Sequence, residues 1–156
     1  MHTYEPLVGE PVEGIRIAWD YRSMQKLAPQ GDRSLDWVGY PRVRRLHDGR
    51  LIAVYETQGN GEMVESTDNG KHWSQPKLTF TKHTYTNDQG ESTAVNIANT
   101  ELIQLQNGDL VMACNYRPAQ DEIAPFAIAV RRSSDGGQSW SESEVIYEAG
   151  PRFRDG

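Results

Sequence analysis

The chain has 156 residues, 37% of them hydrophobic, and a formal net charge of −6 at pH 7. That acidic balance argues against nucleic acid as a partner, and no apolar run approaches the length needed to cross a bilayer as a helix. A single cysteine, Cys114, excludes an intrachain disulfide, and its apolar strand context reads as a small core residue rather than a nucleophile.

In chain order, residues 1–37 form an N-terminal segment. Met1 to Gly14 is irregular, rich in Pro, Gly and Glu, and lacks a charged-then-apolar leader pattern. Ile15 to Asp20 alternates apolar and polar residues, which suits a strand. Gln30 to Asp36 is a polar loop.

The next block, 38–80, runs from Tyr40-Pro41-Arg42-Val43 through Leu46-His47-Asp48-Gly49-Arg50-Leu51 to Ser66-Thr67-Asp68-Asn69-Gly70-Lys71-His72-Trp73. An apolar run meets Asp-Gly and a second apolar run follows, which is a hairpin signal. After a polar connection at 81–94, the block 95–149 repeats the pattern. Asn99 to Asn115 aligns without gaps on Tyr40 to Glu56, and Ser133-Ser134-Asp135-Gly136-Gly137-Gln138-Ser139-Trp140 matches residues 66–73 as S-x-D-x-G-x-x-W. Such turns use Asp and Ser to bond nearby backbone N–H groups and Gly to supply positive φ. The Trp then returns a large apolar area to the sheet and is expected to be largely buried. Each block therefore predicts four antiparallel strands, the composition of a propeller blade. No helix is expected.

The repeated turns resemble the Asp-box (BNR) repeats of the sialidase-like superfamily of glycoside hydrolases, over roughly Trp37 to Glu148. The resemblance implies an all-β fold, with these blocks as two four-stranded blades of a six-bladed β-propeller whose active site lies in the central funnel. The strand near 15–20 would then close the ring, and 150–156 would begin a third blade. Bare blade faces would expose ~400 Å² of apolar surface, a cost of about 10 kcal/mol against a domain stability of roughly 5–15 kcal/mol. Two readings stay open: a longer chain that completes the propeller, or three copies closing one ring by self-association.

Strand direction sorts the candidate residues. Both D/N-G turns and both S-x-D turns fall at one end, so Asp68 and Asp135 read as structural. The other end gathers the starts of the inner strands and the ends of the second strands. Arg42 and Glu101 are equivalent there, as are Glu56 and Asn115; Tyr40 and Asn99 flank the starts, and Arg117 follows Asn115. From Asp48 to Asp68 is twenty positions and from Asn107 to Asp135 twenty-eight, so the second block carries a longer loop at the same end, Pro118 to Phe126. Gln120, Asp121 and Glu122 are within reach of a ligand there.

The resemblance implies exo-acting hydrolysis of glycosidic bonds, a carbohydrate substrate and no cofactor. Sialidases place their first substrate-holding Arg in an F/Y-R-I-P motif. Here the chain reads Gly39-Tyr40-Pro41-Arg42, closer to sialidase-like propellers such as exo-arabinanases, which use two funnel carboxylates. Glu101 and Arg42 are the catalytic candidates, with the second carboxylate expected beyond Gly156. Tyr40, Glu56, Asn99, Asn115 and Arg117 are the substrate-binding candidates. A non-catalytic carbohydrate-binding propeller is the alternative. The four His show no metal-ligand spacing.

Overall fold

The computed structural model describes residues 38–149. The N-terminal segment 1–37, with its strand near 15–20, and the residues 150–156 lie outside the described residues. The described chain is all-β, with no helix.

The first sheet holds β1 (Val38–Arg45), β2 (Leu51–Thr57), β3 (Asn60–Ser66) and β4 (Lys77–Phe80), antiparallel in sequence order. The second holds β5 (His83–Thr86), β6 (Ser92–Gln104), β7 (Leu110–Pro118), β8 (Ala127–Ser133) and β9 (Glu144–Glu148). It thus has five strands rather than the expected four. The extra one, β5, occupies part of the expected connection and pairs only with the first residues of β6, Ser92 to Val95. Its four residues are all exposed, so they carried no burial alternation to betray a strand.

The repeat persists down to single hydrogen bonds. In the β1–β2 loop Leu46 N–H bonds Arg50 O at 2.8 Å and Gly49 N–H bonds Leu46 O at 3.0 Å; Leu105–Asp109 and Gly108–Leu105 repeat both distances in the β6–β7 loop. In the first S-x-D turn Ser66 Oγ accepts from Gly70 N–H at 2.9 Å and Asp68 Oδ1 accepts from His72 N–H at 2.9 Å. In the second, Ser133 Oγ accepts from Gly137 N–H at 2.8 Å and Asp135 Oδ1 from Ser139 N–H at 3.0 Å. Both carboxyls are held well below the usual carboxylate range. For Asp68 the leading cause is the backbone N–H of His72, and for Asp135 the hydroxyl of Ser139. An acid held so firmly ionised is a poor proton donor, in keeping with a structural role. Trp73 and Trp140 are half-buried, not largely buried: each packs one side on a hydrophobic cluster and leaves the other to solvent.

The sheets pack face to face. Ile52, Val54 and Met63 of the first meet Ile97, Leu102, Leu110, Met112, Cys114 and Ala129 of the second, with Phe80 and Leu46 at the margins. Burial pushes the Cys114 thiol up to about 12, so it stays protonated as the small core residue expected. The backbones also touch. Ile97 N–H bonds Gly59 O at 2.9 Å, and a Cβ on Gly59, whose φ is +79, would stand 2.3 Å from Asn96 Oδ1. Arg50 spans the opposite end, bonding Asp48, Glu65 and the carbonyl of Gly136. Arg131 donates to the Thr79 carbonyl and lies over the Phe80 ring at 5.7 Å.

Candidate functional site

β1 and β6 are bulged at the same place of the repeat. Between Gly39↔Glu56 and Arg42↔Val54, β1 has one residue more than β2; between Ala98↔Asn115 and Glu101↔Ala113, β6 has one more than β7. Each bulge contains a non-glycine residue at positive φ, Tyr40 at 48° and Asn99 at 52°. Side chains alternate along a strand, so one extra residue turns everything beyond it to the other face. The bulge in β1 therefore puts Arg42 and Arg44 in register with Val54 and Ile52, which face the second sheet. The bulge in β6 puts Leu102 into the core and leaves Glu101, opposite Ala113, on the other face of the sheet.

The result is a three-residue cluster. Glu101 Oε2 accepts from Arg42 Nε at 3.1 Å, and Oε1 accepts from Arg44 Nη2 at 3.2 Å and from Leu102 N–H at 3.1 Å. Arg44 Nε also donates to Leu102 O at 3.0 Å. The side chains remain 38–49% exposed, so the cluster is open to solvent and to a ligand. Arg42 and Glu101, paired by repeat position alone, are in contact. Arg44 was missed, although a residue two positions along a strand shares the face of Arg42.

The other candidates separate. Glu56 is fully buried, and its Oε2 accepts from Asn99 N–H at 2.8 Å. Burial raises its carboxyl above the ordinary range, against the lowering effect of the Asn99 N–H and of the Arg117 charge. Arg117 is exposed in register with Asn96, and its link to the group is that charge on Glu56. Tyr40 is 44% exposed and the Asn99 side chain is exposed. Asn115 is half-buried and lines a groove of about 290 Å³ with Phe126, Ala127, Ile128, Tyr147 and Ala149. In the longer loop Gln120 N–H bonds Thr93 Oγ1 at 3.1 Å, which ties the loop to β6, and Asp121 and Glu122 are exposed.

The BNR repeat-like domain family matches residues 18–153. The chain belongs to that family. No curated protein matches this BNR repeat-like chain. Among solved structures it is similar to a protein of unknown function from Dyadobacter fermentans DSM 18053, at 14% identity and a TM-score of 0.31. That similarity covers 73% of this chain and 52% of the other, so the BNR repeat-like chain spans about half the length of that protein.

Proposed function

We propose that the protein is a glycoside hydrolase of the sialidase-like superfamily, acting exo on glycosidic bonds, and that the two sheets are consecutive blades of a six-bladed propeller. Membership of the BNR repeat-like family supports the superfamily. The equivalence of the open face of the second sheet to the covered face of the first supports further blades. Glu56 and Gly61 of the first sheet lie against β6, and their equivalents Asn115 and Ile128 line the open groove. In the absence of a further sheet, that groove is a surface for self-association.

The observation that carries the catalytic reading is the solvent-open carboxylate of Glu101 between two guanidinium groups on the inner strands. A carboxylate there acts as one member of the funnel pair, as acid/base or nucleophile, the second being supplied by another blade. Arg42 and Arg44 orient it and add positive charge for hydroxyl or carboxylate groups of a sugar. Tyr40 and Asn99, at the heads of the two bulges, supply aromatic and polar groups beside it, while Asn115 in the open groove and Arg117 are reserved for more distant parts of a sugar chain.

The test is Glu101→Gln in the complete enzyme, assayed on a panel of nitrophenyl glycosides and arabino-oligosaccharides. Turnover is expected to fall by orders of magnitude with the fold intact. Activity within a factor of a few of wild type would remove Glu101 from catalysis. A non-catalytic carbohydrate-binding propeller is the alternative, in which the arginines that engage both Glu101 oxygens form a static ion pair. Retained sugar binding without turnover in the complete protein would select it.

A further inference from the structure

A carboxylate buried between two sheets is costly unless its partners justify it. Glu56 has one partner for Oε2, the Asn99 N–H, while Oε1 is buried without one. Two further unpartnered oxygens, the hydroxyls of Thr79 and Thr100, sit at the same spot. A Cβ on Gly61, directly opposite Glu56 in the ladder, would stand 3.2 Å from both of them. Glu56 is therefore not one member of a saturated polar network. Its contact is specific to one backbone group.

That group is the left-handed residue of the β6 bulge. A bulge leaves its extra residue out of the ladder, so the part-buried Asn99 N–H takes its acceptor from the other sheet. Slipping β6 by one residue would set Thr100 opposite Ala113 and Glu101 opposite Met112. Glu101 would then turn toward the core and Leu102 out of it.

We propose that Glu56 is a positioning residue: by holding the Asn99 N–H across the sheet interface it pins the bulge that presents Glu101 to Arg42 and Arg44. One sheet thereby sets the geometry of a polar group that the two sheets share. The role needs only an acceptor oxygen, so it is served by the carboxylate and by the carboxylic acid. The bearing on hydrolysis rests on the reading above, but the latch itself is tested without turnover.

The experiment is nuclear magnetic resonance on the intact chain. Glu56→Gln keeps an acceptor oxygen, while Glu56→Met removes it at nearly constant volume. In E56Q, Asn99 amide exchange and the Arg42 and Arg44 Nε–H resonances should stay near wild type. In E56M, Asn99 exchange should rise about tenfold, the order expected from losing one hydrogen bond. Both arginine Nε–H resonances should move, while the Met112 amide keeps its protection. If E56M does not fold, Glu56→Asp withdraws the carboxylate by one methylene and should give the same two changes. Unchanged Asn99 exchange would overturn the latch. Faster exchange with unmoved arginine resonances would overturn the positioning role and leave Glu56 merely structural.

Discussion

Tyr40 and Asn99, which share a repeat position, both sit in the left-handed region at φ 48° and 52° and both head a bulge, one in β1 and the other in β6. Neither is glycine, and a bulky aromatic at positive φ is a marked outlier. The same local distortion, made twice, puts the arginines of β1 and the glutamate of β6 on equivalent faces of their sheets, and the long side chains bridge the two strands.

The left-handed conformation makes Asn99 a sensitive position. Asn99→Val adds a β-branched side chain where Cβ already crowds the backbone, and is expected to cost about 1–2 kcal/mol. Asn99→Gly, free of that penalty, should stay within about 1 kcal/mol of wild type. Urea midpoints at constant slope check both. A valine variant as stable as wild type would mean that the bulge does not sit at Asn99.

Acid should weaken the fold through the two S-x-D turns. The folded-state values of Asp68 and Asp135 are lowered, so each contributes stability above the unfolded value of about 3.9 and loses it as pH falls through its folded value. Asp48 and Asp109, lowered by Arg50 and Arg132, act in the same sense. Glu56 opposes them: its raised value favours the fold as pH falls. Stability should be flat from about pH 7 to 5 and drop below about pH 4. The double variant Asp68→Asn, Asp135→Asn should be less stable at pH 7, with a flatter acid limb in thermal melts. An identical acid limb would place the titration elsewhere.

The open groove predicts association of the 156-residue chain. Phe126, Ile128 and Tyr147 at its wall are 39%, 37% and 54% exposed, and a contiguous apolar surface of this kind seeks cover. Sedimentation should show concentration-dependent oligomers, reduced by Ile128→Glu. A monodisperse monomer across concentrations, with cooperative unfolding, would contradict this.

The repeat, its turns and the order of strands within each sheet were legible because each is a local signal: Asp48-Gly49, Asn107-Gly108 and the paired Ser-x-Asp turns need no tertiary context. The fifth strand was not, because His83 to Thr86 is an exposed edge with nothing to bury. The bulges were hidden too, since Tyr40-Pro41 and Asn99-Thr100 look like ordinary strand starts until their partners' register is known. The Arg42–Glu101 contact followed from repeat position. The burial of Glu56 did not, because only the second sheet's backbone, arriving from forty-three residues away, explains a carboxylate there.

Cys114 gives the molecule a clock. It is the one thiol in the chain, it lies in the seam where the two sheets meet, and burial keeps it in its unreactive protonated form. A thiol reagent in water can reach it only when the seam parts. The pace at which the folded protein takes up such a reagent therefore reads out how often the two sheets separate, with no label or substitution needed.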